Sequence, residues 1–127
     1  MGRLSNVLRD AEGPGKKYLV FICPGCNDFH MVCIEPGPWK WDGNADSPTF
    51  TPSILIRNGH FASHFKHGED RCWCDYNREL VEEGKPPSKY KCVVCHSFVR
   101  NGRIEFLADC THELAGQTVD LPILPED

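Results

Sequence analysis

Two Cys-x2-Cys pairs, Cys23/Cys26 and Cys92/Cys95, have the spacing most suggestive of chemistry. Such a turn aims two thiolates at one point, and two of them complete a closed tetrahedral zinc site of structural type. "CPGC" has the Pro and Gly such a turn favours. "CVVC" has neither and reads equally well as extended strand, which would send Cys92 and Cys95 to opposite faces. His30, four residues after Cys26, and His112 are then the alternatives to Cys92 as fourth ligand. "HFKHGEDRCWC" adds His64, His67, Cys72 and Cys74, enough for a second zinc site through Cys72, Cys74 and His67 that could recruit Cys92. Cys33 sits mid-strand and reads as a core thiol, whereas Cys110 has no assignment from spacing.

His96 follows Cys95 directly, and its role depends on which way the strand turns it. Asn101-Gly102 is a strong two-residue hairpin signal. It pairs Arg100 with Arg103, Val99 with Ile104, Phe98 with Glu105, Ser97 with Phe106 and His96 with Leu107. Cys95, Ser97 and Val99 then face one way, and His96 faces the other with Asp109 as a diagonal neighbour. A carboxylate there can orient an imidazole acting as a base. The plainer reading is that His96 packs beside Leu107. His112 is open to three readings: zinc ligand, member of a polar site, or surface residue.

The elements that must position these groups are short strands. "KYLVFIC" (17–23) and "FHMVCIE" (29–35) flank the CPGC turn. "PGPWKWDGNADSP" (36–48) is loop with two anchoring tryptophans, and "FTPSILI" (50–56) is a strand interrupted by Pro52. Residues 58–89 read as an insertion or flap with one short helix capped by Asp75 and stopped by Gly84. "DCTHELAG" predicts a short helical turn closed by Gly116, and "QTVDLPIL" a last strand. The expectation is a mainly β protein, a small antiparallel β sandwich or barrel-like domain with a zinc-binding knuckle. Its boundaries are a flexible lead over 1–15 and a single zinc-binding β domain over 16–127.

Composition narrows the class. The 127 residues carry 14 basic and 18 acidic side chains, a net charge of −4 that argues against nucleic-acid binding. No apolar run approaches a bilayer span, and "MGRLSNVLRD" lacks the apolar core of a signal peptide. Gly2 without Ser or Thr at position 6 does not make a myristoylation site. A cytoplasmic location is expected, and there eight cysteines point to metal rather than disulfides.

"FICPGCNDFH", "PTFTPSILI" and "CHSFVRNGRIEFLADCTHELAGQTVDLP" together resemble a family of small phage and bacterial proteins, a domain of unknown function often labelled "ammonia monooxygenase". The likeness covers most of residues 20–122 and excludes Cys72 to Pro87, where members vary in length. The label implies a copper site and a membrane span, and the sequence has neither. Distant relatives resemble components of bacterial ubiquitin-like conjugation operons, taken to be serine-protease-like, deubiquitinase-like peptidases. Their "PSI" serine and later His-aromatic strand fall on Ser53 and His96. The resemblance thus implies a zinc-stabilised hydrolase acting on a protein or ubiquitin-like modifier, with Ser53 as nucleophile and His96 as base. Asp109 as orienter comes from the hairpin register. Two other readings remain at this point: a non-catalytic zinc-binding interaction module, and a metallohydrolase using His96, Asp109 and His112. The reach between Ser53 and His96 separates them.

Overall fold

A computed structural model describes residues 2–125. Strands β1 (Arg9–Gly13), β2 (Lys16–Cys23) and β3 (Asp28–Glu35) form one antiparallel sheet in that order. β4 (Lys40–Trp41) pairs with β5 (Phe50–Thr51). β6 (Ile54–Asn58), β7 (Val93–Arg100), β8 (Arg103–Phe106) and β9 (Thr118–Asp120) form a second antiparallel sheet, with β6 and β9 at its edges. Between β6 and β7 lie a 3₁₀ turn (Gly59–Phe61) and the helix α1 (Trp73–Glu82). The molecule is mainly β, as expected.

Alternation along the strands builds the core. On β7, Cys95, Ser97 and Val99 are buried while Val94, His96 and Phe98 are half-exposed. Leu19, Phe21 and Cys23 of β2 and Val32 of β3 meet Ile54, Cys95, Val99, Ile104 and Phe106 of the second sheet in one apolar cluster. Phe21, Phe106, Leu19 and Ile104 are fully buried; each contributes about 1.5–3 kcal/mol through burial. This is a sandwich, with the seam between its sheets running through two cysteines.

The hairpin has the expected register, Ser97–Phe106 through Arg100–Arg103, and the Leu107 N–H extends it by donating to the His96 carbonyl at 2.9 Å. Asn101 and Gly102 both take positive φ, 51° and 75°, as a type I′ turn requires. A side chain on Gly102 would also press on Ser47.

The loose lead expected over 1–15 does not hold for its described residues, 2–15: Arg9–Gly13 pairs with β2, and Leu8 is fully buried in the core. Leu8, with Val7 packed against the same apolar cluster, is what seats it. Asp75 is not the N-cap of α1 but sits three residues inside it. Cys72 takes the cap position and donates its N–H to the Asp75 carboxylate. The Gly84 stop stands, at φ 79° just beyond the helix. Residues 109–116 form turns without a helix, the Gly116 N–H closing back on the Phe106 carbonyl. Cys33 faces outward, half-buried, with its thiol donating to the Glu35 carbonyl. Among the described residues, no helix is long and apolar enough to cross a membrane.

Candidate functional site

Ser53 lies in the break between β5 and β6, just after Pro52. The Trp39 indole N–H donates to its carbonyl at 3.3 Å and holds the break in place. His96 projects from the outer face of β7, where Leu55 of β6 is its cross-strand partner. Its Nε2 lies 3.1 Å from Ser53 Oγ, and its Nδ1 lies 3.1 Å from Asp109 Oδ2. A carboxylate only accepts, so Nδ1 carries the proton and Nε2 of the neutral ring is free to accept from the serine hydroxyl. This is the tautomer a serine–histidine–aspartate arrangement needs. The His96 side chain is 25 % exposed and that of Asp109 55 %, so the site is open to solvent on the aspartate side.

Cys110, unassigned from the sequence, fixes this geometry. Its sulfur accepts the His96 N–H and its thiol donates to the His96 carbonyl, both at 3.2 Å. Asp109 is thereby tied to the strand that bears His96. Spacing gave no sign of it, because the link joins a thiol to backbone across a turn.

On the opposite face of β7 the thiols gather. Cys23, Cys26, Cys95 and His112 place their ligand atoms within 4.8 Å of one another and can hold a metal ion. Cys23 Sγ is 3.8 Å from Cys95 Sγ, and Cys95 Sγ is 3.6 Å from His112 Nε2. The former matches the ~3.8 Å edge of a tetrahedron built on Zn–S bonds of ~2.3 Å. Gly25 is essential to this approach: a Cβ there would stand 2.3 Å from the His112 ring. Thiol donation from Cys26, then from Cys95, holds Cys23 far below the usual thiol range, with nearby His30 helping. That ionised sulfur in turn pushes Cys26 up to about 12 and Cys95 further still. Thiolates packed this closely repel one another unless a cation compensates, which fits a metal site.

Cys92 is not in this group. It precedes β7 and points the other way from Cys95, joining His60, Cys72 and Cys74 in a second group of the same compactness. The sequence predicted Cys72 and Cys74 with His67; His60 takes the histidine position instead. His60 follows the turn at Gly59, whose φ of +67° lets Cys92 press in, since a Cβ there would meet Cys92 Sγ at 2.2 Å. The signal available was the Asn58-Gly59 step just ahead of the histidine. Burial disfavours the Cys92 thiolate, but backbone N–H groups of His60 and Cys74, together with the Cys74 and Cys72 thiols, outweigh it and bring the thiol down to about 6. Cys74, facing that thiolate, is pushed up to about 11.

His30 is buried behind Cys23, edge-on to Phe21, outside both groups. His112 belongs with Cys95, not with His96 and Asp109. Among the described residues no metal-ligand group joins His96, Asp109 and His112, and the metallohydrolase arrangement is not formed.

No curated protein and no solved structure matches the chain. Residues 3–107 match the family described as bacterial ubiquitination-like system serine protease (BubE). That span runs from the segment preceding β1 through β8 and includes Ser53 and His96. By this match the chain belongs to the BubE family of serine proteases of bacterial ubiquitination-like systems.

Proposed function

We propose that the protein is a serine-type peptidase acting on a protein substrate of a ubiquitin-like conjugation system, with Ser53 as nucleophile, His96 as base and Asp109 as orienter. The observation that carries this reading is His96 bridging Ser53 Oγ and Asp109 Oδ2 at 3.1 Å on each side. As Oγ attacks the scissile carbonyl carbon, its proton passes to Nε2. Asp109 stabilises the imidazolium, which then protonates the departing amine. Water, deprotonated by His96, releases the acyl group from Ser53. The substrate class is the modifier itself or a conjugate of it, handled in the cytoplasm.

Both Cys/His groups are proposed to hold zinc. Three thiolates and one imidazole suit that ion and leave no open position, so each zinc is structural and takes no part in bond cleavage. The first, held by Cys23, Cys26, Cys95 and His112, lies behind the strand bearing His96. The second, held by His60, Cys72, Cys74 and Cys92, lies in the insertion.

A fluorophosphonate labels activated serines, and mass mapping locates the adduct. Adduct at Ser53 in the wild-type protein, lost in S53A with zinc content unchanged, is the expected result. Labelling that persists in S53A would remove Ser53 from the mechanism.

A further inference from the structure

A substrate chain must reach Ser53 along the surface of the second sheet, where the hydrogen-bond directions are uneven. His96 and Val94 aim both their N–H and their C=O toward the β8 side: His96 to Cys110 and Leu107, Val94 to Thr111. In an antiparallel pair, residues opposite such positions also point away from the partner strand. Leu55 lies opposite His96 and Arg57 opposite Val94. The backbone N–H and C=O of Leu55 and Arg57 therefore point off the sheet, along the outer edge of β6. No strand pairs with that edge among the described residues. The carbonyl of Ser53, two residues before Leu55, points the same way and is taken by the Trp39 indole.

The lane beside this edge has a defined start. Alongside β5 it is filled by β4, with Lys40 opposite Thr51. The lane is blocked up to Trp39 and opens at Ser53. It runs for the five residues of β6, about 17 Å at ~3.3 Å per residue. At its far end, Asn58 and the insertion line a cavity of about 540 Å³ whose walls include Phe65, Arg71, Trp73 and Tyr76. The side chains of Leu55 and Arg57 lie on the same face as His96, both exposed, Leu55 at 42 %.

We propose that an extended peptide segment of the substrate adds to the free edge of β6 as a fifth strand, placing its scissile carbonyl at Ser53. The inference rests on the serine-peptidase reading and names how that site takes its substrate. A flexible tail projecting from a modifier is the chemistry that fits: extended backbone supplies alternate N–H and C=O groups for Leu55 and Arg57. Alternate side chains of the tail rest on Leu55 and Arg57. Trp39 ends the lane, so the docked backbone must leave the sheet at the cleavage point.

The test uses a mixture of internally quenched decapeptides, from which one cleaved peptide is isolated and remade with single backbone N-methyl groups. Proline at position 55 removes an N–H that points off the sheet and leaves the β6–β7 ladder whole. L55P is expected to melt within a few degrees of wild type. Its kcat/KM on the unmethylated peptide is expected to fall by about tenfold or more, chiefly through KM. On the wild-type enzyme, N-methylation is expected to block cleavage at every second position on one side of the scissile bond. Because that scan uses the wild-type enzyme, it decides the matter even if L55P fails to fold. Uniform tolerance of N-methylation, or a folded L55P that cleaves at the wild-type rate, would overturn the docking edge and leave the serine mechanism standing. A wild-type protein that neither cleaves the mixture nor labels with fluorophosphonate would overturn both.

Discussion

Cys110 gives and receives a hydrogen bond at the His96 backbone, and this explains how an aspartate on a turn stays in register with a histidine on a strand. Asp109 is more than half exposed, and without the link its carboxylate would be free to swing into water. Replacing Cys110 with Ala removes the clamp without touching a reacting atom, so kcat is expected to fall about tenfold to 10²-fold with KM nearly unchanged. Ser at the same position restores both a donor and an acceptor on a shorter arm and should recover part of the loss. An equal drop in kcat for both variants would assign Cys110 to packing alone. In the proposed mechanism Asp109 acts through the tautomer. Asn in its place presents an N–H to Nδ1, driving the proton to Nε2, where it faces the serine and cannot accept. Solvent competes at this exposed position, so the expected loss in kcat for D109N is about 10²-fold, toward the low end for such groups. A rate within twofold of wild type would show that His96 needs no orienter.

The insertion obeys different energetics from the sandwich. No residue from 55 through 91 is buried, and neither the 3₁₀ turn nor α1 contributes a core side chain. A segment so poor in burial does not offset the conformational entropy of ordering about 30 residues. Its order must come from elsewhere. His60 stands near its start, Cys72 and Cys74 at the head of α1, and Cys92 at its return, so one ion held by these four, as proposed, would tie all three points. Gly59 is the test position, because a Cβ there meets Cys92 Sγ at 2.2 Å and φ is +67°. G59A is expected to release one zinc of two and to raise hydrogen exchange across 60–91, while β2 and β7 remain protected. Retention of both ions would separate the glycine from the metal. Much of this element could be read from the sequence: the cysteines and the Gly84 stop are composition and local signals. The partners of Cys92 could not be read, since "CVVC" reads as turn or strand and neither reading says which distant histidine is near. His60 and His67 are equally good in sequence, and only the turn at Gly59 decides between them.

At the scale of the molecule, the two proposed metal groups would do unlike work. Cys23 comes from β2 of one sheet and Cys95 from β7 of the other, so a metal held by the first group would staple the sandwich across its seam. Both sulfurs are buried within the apolar cluster. The second group lies outside that cluster, with Cys74 exposed. The segments around Asn6 and Leu124 also close on each other, the Leu124 N–H donating to the Asn6 carbonyl at 2.7 Å and Arg3 to the carbonyls of Leu124 and Pro125. That closure was invisible in the sequence, as was the place of β1, because both depend on long-range pairing of short, weakly patterned stretches. The hairpin and the split between Cys95 and His96 were legible because strand alternation and an Asn-Gly turn are local. A graded titration with a chelator should therefore remove metal in two steps. The exposed group yields first, and its loss is expected to free 60–91 to hydrogen exchange while fluorophosphonate still labels Ser53, whose strand and histidine lie in the sandwich. The inter-sheet group yields second, because its ligands are released only when the seam opens, and cooperative unfolding should accompany that loss. Native mass spectrometry run beside exchange measurements would follow both steps. Simultaneous release of two ions, or survival of the sandwich with none, would mean that the first group is not the staple its position implies.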